Sequence, residues 1–225
     1  MIRAWGATRR GDGHDRNEDA FVLLDTPVRT RGSTDRGVIL AVSDGVSTVS
    51  QGHWASQLTC LRLSGFFERS AEASPDTLVQ LISEIDWEVR GERKGTAACT
   101  LAAVWLEGTD LHVFQVGDSH VFRIREGKVD QLTSGSLDDG DRLEHVLGMG
   151  PEVAEVIRLE RAEVMAGDVL VLVTDGVTSS VPPDSMGQMW NEAHGDPATA
   201  CTSVMGAVAR ARCGDDATVV MALVL

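Results

Sequence analysis

Two apolar runs that each end in an Asp-Gly pair constrain the fold of this chain more than any other feature. "VILAVSDGV" covers residues 38–46, and "VLVLVTDGV" covers residues 169–177. Short runs of β-branched and aliphatic residues are typical of strands buried on both faces. The sequence therefore predicts two interior strands, each finished by a carboxylate and a glycine.

Composition limits the class of protein. The chain has 225 residues, 43% of them hydrophobic, which predicts a single domain over residues 1–225 with a sizeable core. No apolar run approaches the roughly 20 residues that a membrane-spanning helix needs. A net charge of −14 argues against nucleic acid as a partner, because backbone phosphates are bound by clustered Lys and Arg. We expect neither nucleic acid nor a membrane among the partners.

The opening residues and the cysteines of the chain predict a cytoplasmic location. The opening "MIRAWGATRR" has no apolar segment of the kind found in a secretory signal peptide. No CxxC spacing is present, and the surroundings of the cysteines are mostly apolar, which favours reduced, inert thiols over disulfides or a zinc site. These thiols are Cys60, Cys99, Cys201 and Cys213.

The pattern along the chain indicates an α+β sandwich. Helical spacing of apolar residues predicts helices over 53–70, 76–90, 184–194 and 197–211. Strand-like runs are predicted over 20–25, 37–44 and 215–225, and two further strands are predicted within 156–177. Turn signals at Glu107-Gly108, Gly117-Asp118 and Glu126-Gly127 predict an antiparallel meander over 98–133. Many hairpins, with the helices in two separate blocks, are typical of an α+β sandwich and not of alternating βαβ units.

Carboxylates lie where these predicted strands begin or end. If the strands come from two stacked sheets and end on the same side, the carboxylates meet there, and such a cluster is costly unless cations neutralise it. Oxygen ligands of this kind suit Mg²⁺ or Mn²⁺ better than zinc. The acidic residues are the Glu18-Asp19 pair, Asp44, Asp118, Asp175 and the Asp215-Asp216 pair.

Seven short motifs, in the correct order, resemble the metal-dependent protein phosphatase family, the 2C type of serine/threonine phosphatase in its bacterial form. They are "NEDAF" (17–21), "VSDGV" (42–46), "GTAACTLAAV" (95–104), "VGDSHVFRIREGKVDQLT" (116–133), "HVLGMG" (145–150), "LVLVTDGVTSSV" and "DDATVVMAL". The resemblance implies a four-layer α-β-β-α sandwich, in which two antiparallel sheets are flanked by helices.

The resemblance also implies a role for each carboxylate. Asp44 would bridge two cations, Asp175 and Asp215 would complete the first, and Glu18 with the carbonyl of Gly45 would serve the second. Asp19 would hold water in the outer shell, and Asp118 would belong to a third metal position. Two cations about 4 Å apart lower the pKa of a shared water and neutralise charge on the transferring phosphoryl group.

His14 departs from the family pattern. It stands where the family has an arginine that grips the substrate phosphate, and Arg16 is the nearest guanidinium. We therefore assign His14 and Arg16 to the catalytic group with Asp44, although a plain loop histidine is the alternative for His14. His120 replaces a common arginine and is interpreted as a surface residue of a hairpin.

These features predict a cytoplasmic, monomeric phosphoprotein phosphatase that depends on Mn²⁺ or Mg²⁺ and opposes a separately encoded Ser/Thr kinase. One alternative is a catalytically weak or inactive module with a regulatory or binding role. His14 favours it, and so does Ser179, which stands where many members of the family have a further aspartate. Another is a phosphatase dedicated to one regulatory partner, such as an anti-sigma antagonist protein. The substrate groove is expected in the variable segment 134–146, which carries Asp138, Asp139, Asp141 and Glu144.

Overall fold

A computed structural model gives the architecture, and it describes residues 1–25, 37–69, 74–93, 95–134, 145–149 and 153–225. The acidic residues Asp138, Asp139, Asp141 and Glu144 lie outside the described residues. The strands are β1 (Ile2–Arg9), β2 (Ala20–Asp25), β3 (Val38–Ser43), β4 (Leu101–Glu107), β5 (Asp110–Val116), β6 (His120–Arg125), β7 (Lys128–Gln131), β8 (Arg158–Glu163), β9 (Val169–Val173) and β10 (Ala217–Val224). The helices are α1 (Gly52–Arg69), α2 (Pro75–Arg93), α3 (Val153–Val156), α4 (Asp175–Thr178), α5 (Pro183–Glu192) and α6 (Pro197–Ala211).

Within the described ranges, ten strands form two antiparallel sheets of five. One sheet has the order β1-β10-β9-β6-β7, and the other has the order β2-β3-β4-β5-β8. The two apolar strands that end in Asp-Gly are β3 and β9, so each sheet contains one of them in its interior. This confirms the prediction of two interior strands and places their carboxylates on different sheets.

Three layers of apolar side chains hold the sandwich together. The inner layer lies between the sheets and includes Leu40, Val104, Leu172 and Val220. A second layer joins α1 and α2 to the outer face of one sheet, and a third joins α4, α5 and α6 to the outer face of the other. Because β3 and β9 are covered on both faces, they need no polar alternation. The predicted α-β-β-α sandwich is confirmed.

The predicted meander over residues 98–133 is wrong in one respect. Its first and last turn signals close the hairpins β4–β5 and β6–β7, but β5 and β6 belong to different sheets. The middle signal, Gly117-Asp118, is therefore a crossover between the sheets. An Asp-Gly or Gly-Asp dipeptide marks a turn without stating which sheet the next strand enters, so local sequence could not separate the two cases.

Strand β1 and the short helix α4 were not predicted. β1 is an edge strand that pairs with β10 along its whole length, from Ile2 opposite Val224 to Arg9 opposite Ala217. Two arginines and one glycine, Arg3, Arg9 and Gly6, interrupt its apolar alternation, which hides the strand from a pattern argument. None of the described helices is long and apolar enough to cross a membrane.

Candidate metal and catalytic site

The two Asp-Gly glycines lie where one segment of backbone presses against another. A Cβ atom on Gly176 would overlap the carbonyl oxygen of Asp216, and one on Gly45 would overlap the backbone of Gly52. Gly45 also donates its N–H to the carbonyl of Glu18 at 3.1 Å. Glycine is therefore required at both positions by close approach, and this approach draws the segments that carry Glu18, Asp44, Asp175 and Asp216 together.

The acidic residues predicted from the sequence lie within electrostatic range of one another at one end of the sandwich. Burial raises the pKa of Asp44 well above its usual range, and the charges of Asp19 and Asp175 raise it further. Burial and then the charge of Asp175 raise the pKa of Asp118 to about 6, and the same two causes raise the pKa of Asp215. Like charges in a desolvated site disfavour ionisation, so this arrangement is unfavourable without a counter-cation.

Asp19 is the most enclosed of the predicted ligands, with 7% of its surface exposed. Its Oδ2 accepts hydrogen bonds from Thr218 Oγ1 at 2.6 Å and Thr174 Oγ1 at 2.9 Å. Burial nevertheless raises the pKa of Asp19 to about 7, outweighing these bonds, and the charges of Asp216 and Asp175 add to the increase. The two threonines were missed in the sequence; a polar residue at the end of the apolar run "VLVLVT" was the available signal for Thr174.

Two carboxylate oxygens in the cluster have no partner in the described residues. Asp19 Oδ1 and Asp175 Oδ1 are both buried, and neither receives a hydrogen bond. A buried, unsatisfied carboxylate oxygen costs free energy that a divalent cation would recover. The donor set fits Mn²⁺ or Mg²⁺ on this ground, although within the described residues no three His, Cys, Asp or Glu side chains already form a metal cage.

Asp216 organises the loop between β1 and β2. It is 1% exposed, its Oδ1 accepts the N–H of Gly11 at 2.7 Å, and its Oδ2 accepts the N–H of Glu18 at 2.6 Å. The same Oδ2 lies 2.9 Å from Nδ1 of His14. With its oxygens occupied by these donors, Asp216 positions the backbone of Glu18 and the ring of His14.

His14 lies between the two carboxylates that precede β10. Its Nδ1 hydrogen bonds to Asp216, and its Nε2 lies 3.5 Å from Oδ1 of Asp215. The hydrogen bond with Asp216 raises the pKa of His14 against the opposing effect of burial, and the charges of Asp216, Asp215 and Glu18 raise it further. The side chain of His14 is thus held beside these carboxylates.

Arg16 lies at the edge of the cluster. Its Nη1 is 3.0 Å from Nε2 and 3.3 Å from Nδ1 of His53, the second residue of α1. Burial raises the pKa of Glu18, while the charges of His14, His53 and Arg16 lower it. Arg16 and His53 are therefore within electrostatic range of Glu18.

The hydroxyl groups of Thr100 and Ser119 form a hydrogen-bond network with the backbone of Asp44. Thr100 Oγ1 accepts the N–H of Asp44 at 3.0 Å and lies 2.7 Å from Ser119 Oγ, and the N–H of Thr100 donates to the carbonyl of Asp44 at 2.8 Å. Ser119 follows Asp118 at the crossover between the sheets. This network fixes the ends of β3 and β4 against the crossover and holds Asp44 at a set position.

His120 is buried, which corrects its interpretation as a surface residue. It is 4% exposed, and its Nδ1 lies 3.0 Å from Thr133 Oγ1. Burial lowers the pKa of His120 to about 4. The side chain faces the interior because β6 enters the other sheet after the crossover, which the sequence did not reveal.

A family model described as "Protein phosphatase 2C" matches residues 7–205, which is most of the chain. No curated protein matches the chain in sequence. The fold is similar to that of the serine/threonine phosphatase Stp1 from Staphylococcus aureus, with 20% identity, a TM-score of 0.84 and coverage of 100% of this chain and 96% of the other.

Two further structures have the same fold. The catalytic domain of the serine/threonine protein phosphatase PstP in complex with two manganese ions is 21% identical, with a TM-score of 0.79 and coverage of 99% of this chain and 97% of the other. PppA of Pseudomonas aeruginosa, described as a key regulatory component of T6SS, is 19% identical, with a TM-score of 0.84 and coverage of 100% and 98%. The chain therefore belongs to the protein phosphatase 2C family and is a metal-dependent serine/threonine phosphatase that uses Mn²⁺ or Mg²⁺.

Proposed function

We propose that the carboxylate cluster is the catalytic centre of this phosphatase. In this proposal Asp44, Asp175 and Asp215 hold one cation, and Asp44, Glu18 and the carbonyl of Gly45 hold a second. The observation that carries the proposal is a pair of buried oxygens, Asp19 Oδ1 and Asp175 Oδ1, that have no partner in the part of the chain that the structure describes. They lie in a cluster whose members raise one another's pKa.

Asp118 and Asp19 have supporting roles in the proposal. Asp118 joins the cluster from the crossover between the sheets, where the charges of Asp175 and Asp215 act on it, and it is assigned to a third cation position. Asp19 already accepts two hydroxyl hydrogen bonds on Oδ2, so only its Oδ1 remains available. It is assigned to the outer shell, where it orients water.

The chain positions these groups before any substrate arrives. When bound, the cations supply a water of lowered pKa and neutralise charge on the phosphoryl oxygens. Asp44 is held by the Thr100 hydroxyl, and Asp216 fixes the backbone of Glu18, so the ligands need little rearrangement. His14, held by Asp216 and close to Asp215, places a proton donor beside the cluster.

The substrate is a phosphoprotein, and the finer assignments of partner and location are also proposals. We propose a monomer, since one chain supplies every residue of the cluster, and one catalytic domain over residues 1–225. The four cysteines are free, and three of them are buried, which supports a reducing cytoplasm. A separately encoded Ser/Thr kinase is proposed as the source of the phosphorylated substrate.

The test is hydrolysis of a phosphothreonine peptide, measured with and without Mn²⁺, by the wild type and by Asp175→Asn. Hydrolysis that requires Mn²⁺ and is lost in the variant supports the proposed centre. Calorimetry of Mn²⁺ binding to both proteins separates a lost ligand from a lost fold. Mn²⁺ binding by a wild type that hydrolyses no phosphopeptide would instead favour the regulatory module with little or no catalytic activity.

A further inference from the structure

Three threonines lie side by side on adjacent strands of the sheet that contains β1, β10 and β9. Thr8 of β1 is opposite Thr218 of β10, and Thr174, directly after β9, donates its N–H to the carbonyl of Thr218 at 3.1 Å. Asp19 precedes β2, which belongs to the other sheet, and its Oδ2 accepts hydrogen bonds from the hydroxyls of Thr218 and Thr174. Hydroxyl groups of one sheet therefore hold a carboxylate at the start of a strand in the other.

Asn17 joins this row of hydroxyls to the backbone of Asp19. Its Oδ1 accepts the N–H of Asp19 at 3.0 Å, and its Nδ2 donates to Thr8 Oγ1 at 2.8 Å. Thr8 Oγ1 lies 2.8 Å from Thr218 Oγ1, and the Thr218 hydroxyl donates to Asp19 Oδ2 at 2.6 Å. These contacts start at the backbone of Asp19 and return to its side chain. Asp19, Asn17, Thr8 and Thr218 thus form a closed hydrogen-bonded ring, the Asp19 ring.

The two groups at its ends set the direction of every bond in the Asp19 ring. An amide nitrogen only donates, and an ionised carboxylate only accepts. Thr218 gives its one hydroxyl proton to Asp19, so the proton between the two hydroxyls comes from Thr8, which in turn accepts from Asn17. Each hydroxyl both donates and accepts, and in such a chain the bonds polarise and strengthen one another. Loss of either hydroxyl interrupts the ring.

The Asp19 ring leaves one defined oxygen of Asp19 available. Oδ2 accepts two hydroxyl bonds, whereas Oδ1 is buried and has no partner among the described residues. A tilt of the carboxylate plane would break the bonds to Oδ2, so the position of Oδ1 is fixed as well. Thr218 is fully buried, and Thr8 lies exposed in the edge strand β1. The ring therefore connects the surface of β1 to the carboxylate cluster.

We propose that Thr8, Asn17 and Thr218 are positioning residues that fix the carboxylate of Asp19, with Oδ1 as its free oxygen, for the outer shell of the proposed cation site. This inference rests on the proposed function, because Asp19 is assigned to that shell there. It gives the edge strand β1 a part in cation binding. Outer-shell partners of this kind change metal affinity or activity by about 10- to 100-fold when they are removed.

The first experiment measures the Mn²⁺ dissociation constant by calorimetry in Thr8→Val and Thr8→Ser, with Thr202→Val as the matched control. Thr202 is an exposed threonine of α6 whose hydroxyl donates to the carbonyl of Ala198 in the same helix. Thr8→Val should raise the dissociation constant about 3- to 10-fold, because it opens the ring at its exposed end. Thr8→Ser keeps a hydroxyl, so it should stay within about twofold of the wild type, as should Thr202→Val. Equal Mn²⁺ affinity in Thr8→Val and Thr202→Val would overturn the role of Thr8.

Thr218→Val removes the hydroxyl that contacts Asp19 directly, and it should have a larger effect. We expect its Mn²⁺ dissociation constant to rise about 10- to 100-fold, with recovery in Thr218→Ser. Calorimetric melting in chelator shows whether each variant is folded before Mn²⁺ is added. A folded Thr218→Val that binds Mn²⁺ as tightly as the wild type contradicts the inference, and the exposed Thr8 provides the same test at a site where a lost fold is not expected.

A double variant shows whether Thr8 acts through Asp19. In an Asp19→Ala background, the further change Thr8→Val should alter the Mn²⁺ dissociation constant by less than about twofold, because residues that act through one another are coupled. A general loss of structure would instead weaken Mn²⁺ binding in both backgrounds. The positioning role fails if Thr8→Val has its full effect when the carboxylate of Asp19 is absent.

Calorimetry without substrate also separates this inference from the proposed function. A wild type that hydrolyses no phosphopeptide but binds Mn²⁺ more tightly than Thr8→Val would retain the Asp19 ring while the proposed catalytic role fails. Mn²⁺-dependent hydrolysis by the wild type, with unchanged Mn²⁺ affinity in Thr8→Val and Thr218→Val, would retain the catalytic centre and overturn the role of the ring.

Discussion

Buried carboxylates in two regions of this molecule have opposite surroundings: in one region they are paired with arginines, and in the other they lie beside further carboxylates. Asp168, before β9, is 1% exposed and receives Nε and Nη2 of Arg125 at 2.7 and 2.6 Å, together with the N–H of Met165 at 2.9 Å. Asp86 in α2 is equally buried and receives Arg90 and the N–H of Gly148. Asp19, in the carboxylate cluster, has one oxygen, Oδ1, that receives no hydrogen bond from the described residues.

The difference separates carboxylates that the fold supplies with a cation from carboxylates of the proposed metal site, which lie among other carboxylates. Burial acts to raise the pKa of Asp168, but hydrogen bonds from Arg125 and from the N–H of Met165, together with the charge of Arg125, lower this pKa overall. Burial raises the pKa of Asp19 and Asp44, and neighbouring carboxylates add to it. A carboxylate that the fold supplies with a cation stabilises the native state, while a cluster left without one is destabilising until a cation binds.

Replacing Asp44 should have the largest effect. Asp44→Asn is expected to lower kcat/KM with Mn²⁺ by about 10³-fold, since it removes the ligand proposed to bridge both cations. In the absence of metal, the melting temperature of Asp44→Asn should equal or exceed that of the wild type, because the variant removes one of the buried carboxyl groups that disfavour one another's ionisation. Steady-state kinetics and calorimetric melting in chelator check both parts. A variant that loses activity and also melts lower without metal would place Asp44 with Asp168 as a structural carboxylate.

Replacing Asp168 should have the reverse signature. Asp168→Asn leaves Arg125 without its carboxylate and is expected to lower the free energy of unfolding by about 2 kcal/mol, with kcat/KM nearly unchanged. Urea unfolding beside Asp110→Asn, an exposed aspartate at the start of β5, provides the measurement and its control. Loss of Mn²⁺-dependent activity in folded Asp168→Asn would contradict the division into two regions.

His120 extends the comparison to a buried base. Its folded pKa of about 4 lies below the unfolded value, so the unfolded state binds more protons between these two pH values and stability falls as the pH decreases through that window. His120→Gln should reduce the stability lost between pH 6.5 and pH 5 by roughly 1–2 kcal/mol relative to the wild type. Urea midpoints of both proteins at the two pH values test this. If both proteins lose the same stability between the two pH values, the pKa of His120 is not lowered in the folded state.

The smallest expected effect is the pH dependence of the metal-free protein above pH 6.5. Because the folded pKa of Asp19 is raised to about 7, the folded state holds a proton that the unfolded state has already lost, and stability decreases as the pH rises through 7. Between pH 6.5 and pH 8 the loss should be roughly 1 kcal/mol, and the raised pKa of His14 acts in the same direction. Asp19→Asn should weaken this dependence, and saturating Mn²⁺ should abolish or reverse it. Metal-free stability that rises with pH would contradict the proposed repulsion.

Much of the site was predictable because its residues stand next to strong local signals. Asp44 and Asp175 follow apolar runs, and Asp215 and Asp216 precede one, so their placement at strand ends required only the strand pattern. Thr218, His53 and the burial of His120 were not predictable in this way. Each depends on which element packs beside it, and Thr218 meets Asp19 from a position 199 residues away in the chain.

The sequence by itself determined the class of fold, the order of the motifs and the identity of the carboxylates, because burial periodicity and turn chemistry are local properties. Only the tertiary structure decided which sheet each strand joins, that the two Asp-Gly glycines are required by backbone contact with Asp216 and Gly52, and that His14 faces two aspartates while Arg16 faces His53. These are contacts between segments distant in the chain, and their energies depend on distances that no single stretch of sequence contains.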